Sequence, residues 1–424
     1  MAARVLSVFV SSLLFITTVS AVLPDYSPSF QREGLTRDEL IVKYFYLGLT
    51  APEILLYLAN IHGISLSLRQ LRRVLNRLGC NRRVNKSDVD EVCDAIETEL
   101  SGSGSIIGYR AMHQRLTNEY GLVTTRETVR RILKFVDPEG VELRLRHRLR
   151  RRMYRAKGPN YLWHIDGYDK LKPFGFCVHG AIDGFSRRIL WLEVSSSNND
   201  PRLVASYYVD YIRQLGGTAR IIRGDRGTEN GNIAATQRFF RRDADDPFAN
   251  DNSFIYGRST SNQRIEAWWG LFRRGCTDWW INFFKDMRDS GLFVDDDEIH
   301  KECLKFCFMR VLQQELDKVA IHWNTHRIRP SRNPDSPPGR PDTLYFVPQS
   351  VACHDYVTAV SEDEIEIAQE TCTERSPNKG CSPHFKELSE MIMEDKGLQL
   401  PLDAYEARQL YFDLLDAIEA MNVW

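Results

Sequence analysis

Residues 160–171 read NYLWHIDGYDKL. A short apolar run, 161–165, ends on a carboxylate, Asp166, followed at once by a glycine. A brief apolar run bounded by turn formers reads as a buried strand, so Asp166 is expected at a strand end. The same arrangement returns in RGDRGTEN, 223–230, where the apolar residues 219–222 precede Asp225, and Gly224 and Gly227 place that acid in a tight turn. The third segment, SNQRIEAWWG at 261–270, predicts a helix starting near Ser261. Asn262 and Glu266 stand four apart in it and share one face.

Working outward, FGFCVHGAID (174–183) and RILWLEVS (188–195) are further β-rich runs, and DPRLVASYYVDYIRQLGG (200–217) is an amphipathic helix stopped by Gly216 and Gly217. Three strands, a helix, a strand and more helices predict a mixed α/β sheet with helices on both faces. Neighbouring strands then bring Asp166 and Asp225 together, and the helix adds Glu266. Three carboxylates in one place repel one another unless cations lie between them. All-oxygen donor sets suit Mg²⁺, which keeps several waters and shares its site with substrate phosphates. Two such ions about 3.5–4 Å apart activate a water or 3′-hydroxyl and stabilise the leaving oxygen of an in-line phosphoryl displacement. Asp183 is a useful control. It too lies between an apolar strand and a glycine, yet it is assigned a structural or supporting role, which periodicity alone does not decide.

The ordered set WHIDG (163–167), IDGFSRRI (182–189), RGDRGTEN and GRSTSNQRIEAWWG (257–270) resembles the integrase core of retroviruses, retrotransposons and insertion-sequence transposases, with a particular likeness to the integrase-core proteins scattered through animal genomes. The resemblance covers about 159–346. It implies a ribonuclease H-like fold, two Mg²⁺ or Mn²⁺ ions held by Asp166, Asp225 and Glu266, and DNA strand nicking and joining. Asn230 and Asn262 match the asparagines that accompany the last two acids. Joining two DNA ends implies an assembly of at least two copies. The chain departs from the retroviral pattern in having 40 residues between Asp225 and Glu266, somewhat more than usual, with RRDADDPFANDN (241–252) expected to fill the excess as a mobile loop. No His/Cys zinc module precedes the core. Instead GYRAMHQRLTNEYGLVTTRETVRRILK (108–134) is similar to the front halves of insertion-sequence transposases.

Those front segments read as two helical modules. In 36–80, Thr36/Glu39, Thr50/Glu53 and Ser67/Gln70 form three successive capping-box patterns, and Gly48 and Gly63 fall where helices should stop. A helix-turn-helix follows, its third helix offering Arg69, Arg72 and Arg73 to a DNA groove. In 88–136, Thr124 and Glu127 are expected to box a helix displaying Arg126, Arg130 and Arg131. A plain three-helix interaction module with solvated arginines is the competing reading. Residues 137–158 form a basic linker, whose stretch 141–157 holds eight Lys/Arg against one acid, including Arg148, Arg150, Arg151 and Arg152. So many uncompensated charges ask for an anion: a nucleic acid, or an import receptor directing the chain to the nucleus.

The formal net charge of −1 conceals this polarity. Residues 102–158 carry 14 Lys/Arg and 5 Asp/Glu, whereas 349–424 carry 5 and 16. That predicts a polyanion-binding front and an acidic tail (347–424), flexible over 361–396, with an amphipathic helix at 402–421 that docks on the core, binds a partner or shields the basic front. A hydrophobic content of 43% excludes global disorder. Nine scattered cysteines with no C-x-x-C pair argue against a zinc finger and against a disulfide framework. Trp268, Trp269, Trp279 and Trp280 read as packing, Arg273 and Arg274 as phosphate contacts, and Asp295, Asp296 and Asp297 as a helix N-terminus. Residues 1–22 conflict with a nuclear location: Arg4, an apolar run and Val19-Ser20-Ala21 form a secretory-signal pattern, alternatively a misassigned start or a buried helix. No stable membrane association is expected unless that leader is retained. The rivals to an active strand-transfer enzyme are a catalytically silent, domesticated DNA-binding protein, a nuclease that cuts without joining, and a secreted role.

Overall fold

The structure is a computed structural model describing residues 35–80, 86–102, 104, 107–138, 141, 156–257, 262–330, 336–373 and 380–421. The leader and the basic arginines Arg148, Arg150, Arg151 and Arg152 lie outside these residues.

Two three-helix units come first. α1 (Arg37–Tyr46), α2 (Ala51–Asn60) and α3 (Leu68–Arg77) each begin with their capping box formed. Gly48 and Gly63 follow α1 and α2 at φ 79° and 64°, the left-handed region that a Cβ disfavours. Leu40, Ile41, Ile54, Leu58 and Leu71 fill the centre, joined by Val347 from the far side of the chain. The second unit, α4 (Val89–Ser101), α5 (Tyr109–Asn118) and α6 (Arg126–Val136), buries Val92, Ile96, Met112, Leu116, Val129 and Leu133. Its last cap differs from expectation. Thr125, not Thr124, accepts from the Thr128 N–H, and Glu127 turns outward to Arg130 and Arg131 at 2.7 and 3.0 Å, where two cations outbid one backbone N–H.

The sheet is built from β1 (Leu162–Tyr168), β2 (Cys177–Asp183), β3 (Ile189–Ser195), β5 (Ile221–Gly224) and β6 (Phe254–Tyr256), in the order β3-β2-β1-β5-β6. A small β4 (Gly217–Thr218) pairs with β7 (Thr358–Ala359) outside it. The first three strands are antiparallel, and β1, β5 and β6 run parallel. Trp163, Ile165, Ala181 and Trp191 pack on one face against α7 (Pro201–Leu215) and α8 (Gly231–Phe240). Val178, Ile182 and Leu192 pack on the other against α9 (Gln263–Phe272), α10 (Asp278–Asp289) and α11 (Glu298–Thr325). This mixed sheet with helices on both faces, preceded by helical units, is the ribonuclease H-like architecture.

α11 also guards the edge strand β3. Gln313 accepts from the Val194 N–H and donates to the Leu192 carbonyl, both at 3.0 Å. Asn324 does the same for Ile189 at 2.7 and 2.9 Å. An unpaired edge invites pairing with other chains, and these amides occupy it. The long helix begins just past the acidic cluster, at Glu298. Asp297 caps it, accepting from Ile299 and His300, which makes the Asp295–297 cluster a helix N-terminus. Cys303 and Cys307 are buried on it as free thiols.

Two expectations are overturned. Residues 241–252 are pinned: Asp246 pairs with Arg241 and Arg220, and Phe248 packs against the Tyr161 ring at 6.0 Å. Past the short α12 (Pro341–Phe346), the acidic 361–396 region contains two helices, α13 (Glu362–Gln369), with a Ser361/Glu364 capping box, and α14 (Pro383–Lys396). Ile365 and Ala368 join one core, Phe385, Ile392 and Met393 the other. The last helix, α15 (Ala404–Ala420), docks on the core, burying Leu410, Tyr411, Leu414 and Ile418. Among the described residues no helix is long and apolar enough to cross a membrane.

Candidate active site

Parallel pairing of β1 with β5, in the register Leu162↔Ile221 to His164↔Arg223, carries both chains to the same edge of the sheet. Side chains alternate along β1. Trp163 and Ile165 therefore enter the α7 side, while His164 and Asp166 face α9. Asp225 follows β5 directly. Its Oδ1 accepts from the Gly227 N–H at 3.0 Å and from Asn230 Nδ2 at 2.9 Å, so the turn is closed by the acid itself. Asn230 is fully buried. The carboxylate of Glu229 lies where a Cβ on Gly227 would stand, so a larger residue there would push that side chain aside.

Helix α9 is fastened to β1 by the residue before it. Asn262 donates to the Ile165 carbonyl at 2.8 Å, and its Oδ1 meets His164 Nδ1 at 2.6 Å. Burial pushes the His164 imidazole down to about 3, so it is neutral and donates through Nδ1–H. Glu266 lies one turn on, its N–H bonded to the Asn262 carbonyl at 3.2 Å, and its side chain is exposed. Asn262 thus sets the helix; it does not touch the acids.

The three carboxylates feel one another. Asp166 is pushed up to about 7, chiefly by burial and further by the charges of Glu266 and Asp225, against a lowering hydrogen bond from Trp269. Glu266 is raised by burial and by Asp225. Glu229 is raised by burial, with Asp225 adding to it. Among the described residues no three His, Cys, Asp or Glu side chains stand close enough to hold one metal ion as placed. Asp166 is instead held by the Trp269 indole N–H at 3.0 Å, and Asp225 by Asn230. The donor set is nonetheless all-oxygen, anionic and mutually repelling, the chemistry that a hard divalent cation fits.

Asp183, the control, is different in kind. It is fully buried, and its carboxylate accepts from the Asn160, Phe185 and Ser186 N–H groups and the Ser186 hydroxyl at 2.7–3.2 Å. Its Oδ2 closes the β2–β3 turn through Phe185 and Ser186, and its Oδ1 ties that turn to Asn160 before β1.

The arginines lie on other elements. Arg69, Arg72 and Arg73 are exposed on α3; Arg126, Arg130 and Arg131 are exposed on α6, the latter two sharing Glu127. Arg273 pairs with Asp278 at 2.8 Å, while Arg274 is exposed. Trp268 and Trp280 are buried packing residues. Trp269 is also buried but carries the donor to Asp166, a role its sequence context did not reveal. Its place three residues after Glu266, on the same helical face, is the one signal that pointed there.

The site thus combines a ribonuclease H-like sheet with an acid on its first strand, a second just past the adjacent parallel strand and a third on a following helix. Residues 153–345 match the family model of the integrase core domain, and this part of the chain belongs to the integrase core superfamily. No curated protein matches the chain.

Proposed function

We propose that the chain is an integrase- or transposase-type enzyme that nicks and joins DNA strands by phosphoryl transfer, with Asp166, Asp225 and Glu266 as its acids. The observation carrying this reading is the convergence of these three carboxylates, from β1, the β5 turn and α9, close enough that the charge of Asp225 raises the proton affinity of both Asp166 and Glu266. Integrase cores typically use divalent metals, and Asp166, Asp225 and Glu266 would hold Mg²⁺ or Mn²⁺ here. When bound, such ions supply activation of a hydroxyl nucleophile and charge stabilisation at the leaving oxygen. The chain's own groups do the positioning: Asn230 and the Gly227 N–H orient Asp225, Asn262 fixes α9, and Asp183 fixes the turn beside β1.

Integrase-like domains generally bind DNA. The exposed Arg69, Arg72 and Arg73 on a third helix suit a DNA groove, with Arg126, Arg130, Arg131 and the basic stretch that includes Arg148, Arg150, Arg151 and Arg152 as sequence-independent phosphate contacts. Two DNA ends call for at least two copies, and a DNA substrate goes with a nuclear location.

The test is Mn²⁺-dependent nicking and joining of labelled DNA by the full chain, wild type beside Asp225→Asn. Activity in the wild type that is lost in the variant by a factor of about 10² or more supports the reading. DNA binding without cleavage, equal in both, replaces it with a domesticated DNA-binding protein. Cleavage without joining identifies a nuclease.

A further inference from the structure

We propose that Trp269 is a positioning residue whose indole N–H sets the orientation of the Asp166 carboxylate toward a divalent cation; the inference rests on the three-carboxylate reading above. Trp269 Nε1 donates to Asp166 Oδ2 at 3.0 Å. Indole is a donor only. It neither ligates a cation nor takes up a proton, so its one action on the site is to hold a carboxylate oxygen in place. Carboxylates at metal sites are commonly oriented by such outer hydrogen bonds.

The ring is itself over-determined. Tyr168 and Trp268 stand at 5.1 Å from it, centroid to centroid, and Phe272 at 5.6 Å. Tyr168 is anchored in turn through its hydroxyl to Thr277 Oγ1 at 2.7 Å. On the remaining side lies Gly180, the cross-strand partner of Asp166. A Cβ there would stand 3.0 Å from the indole Cη2 and 3.2 Å from Leu192 Cδ1, so that the ring would have to give by a few tenths of an ångström. A glycine opposite Asp166, an aromatic cage and a donor on the helix that also carries Glu266 therefore form one device. It ties the place of α9, and with it Glu266, to the orientation of Asp166.

A buried indole usually finds some acceptor, and a role confined to packing predicts altered stability without altered cation affinity. The test uses the full chain and Mn²⁺ alone. Calorimetric titration is compared for wild type, Trp269→Phe, Gly180→Ala and Asp166→Asn, each with a thermal melt. Trp269→Phe keeps a ring in the cage and removes the donor; Gly180→Ala displaces the indole without touching it chemically. Both are expected to bind Mn²⁺ about tenfold more weakly while folding. Folded Trp269→Phe with wild-type affinity overturns the inference and leaves the three-carboxylate reading standing. A wild-type chain that binds no Mn²⁺ overturns both. A further readout needs no variant: with ¹⁵N-labelled indoles, one N–H signal of the wild type must broaden on adding Mn²⁺ ahead of the rest, and uniform broadening overturns the inference.

Discussion

Two aspartates in the core illustrate how one side chain serves different ends. Asp183 is saturated with donors, so Asp183→Ala leaves several buried N–H groups unpaired. It is expected to cost at least about 3 kcal/mol, read as a lowered melting temperature. Asp166 has the opposite balance. Burial and two neighbouring charges raise it from 3.8 to about 7, so the folded chain binds its proton more tightly than the unfolded chain does. The ionised form therefore destabilises the metal-free fold. That penalty is absent below about pH 4, grows as pH rises through the interval, and is complete above about 7. Asp166→Asn removes it. At pH 8 without metal the variant is expected to melt higher than wild type, by about 1–2 kcal/mol or roughly 2–6 °C, with the gap closing toward pH 4. Melts at pH 4, 6 and 8 check this, and a variant that melts lower throughout refutes it. A substitution at a proposed metal ligand is thus expected to stabilise the empty fold, the signature of an acid retained for a ligand. Asp183 was separated from Asp166 in the sequence only by resemblance. Both end an apolar run and precede a glycine, although β1 continues through Asp166 to Tyr168 whereas β2 stops at Asp183, and the donors that distinguish them come from residues as distant as Asn160.

At the scale of elements, the strand-then-acid pattern of β5 was readable because a buried strand and its turn are local, whereas β1 runs on past Asp166 to Tyr168 because its antiparallel pairing with β2 continues beyond the apolar run. So were the three capping boxes of the first unit, each a matter of four residues. What was not readable depends on packing between distant segments. Nothing near Gln313 or Asn324 in sequence says that their amides complete the edge of β3, more than a hundred residues earlier. Nor does the run QRIEAWWG say that Trp269 turns its N–H to β1, since that depends on Gly180 across the strand. The α13 helix was missed for another reason. Its Ser361/Glu364 box was present, but only Ile365 and Ala368 are buried on it, too few to stand out against its acids. Asn324 offers a direct test of edge protection. It is fully buried and serves both backbone groups of Ile189, so Asn324→Ala strands one donor and one acceptor and is expected to cost about 2–4 kcal/mol. Chemical denaturation measures the loss. A cost below about 1 kcal/mol would mean that β3 has no need of the helix.

For the molecule as a whole, the region matched to the integrase core, 153–345, does not contain all of its own hydrophobic core. α11 lies inside that region, but its outer side is covered from beyond it. Tyr411 on α15 bonds His300 Nδ1 at 2.6 Å and the Leu292 carbonyl at 3.0 Å. Leu410, Leu414, Ile418, Phe385, Ile392 and Met393 share the cluster that holds Phe306, Phe308 and Leu312. On the N-terminal side, Arg115 reaches both Glu99 and Glu315, at 2.7 and 3.7 Å, and Glu119 pairs with His322 at 2.9 Å, so the second helical unit is tied to the same long helix. The acidic tail is thus a structural layer whose buried side is apolar and whose charges face water. Removing a buried Leu, Ile, Met or Phe costs about 2–5 kcal/mol each, against a total stability of about 5–15 kcal/mol for an ordinary domain. A chain ending at Phe346 loses many such residues together. It is expected to lack a cooperative thermal transition and to bind an apolar dye, whereas the full chain melts cooperatively and does not. A truncated chain that melts cooperatively near the full-length temperature would show α14 and α15 to be accessory, and the acidic layer would then be free to leave the core and meet the basic front.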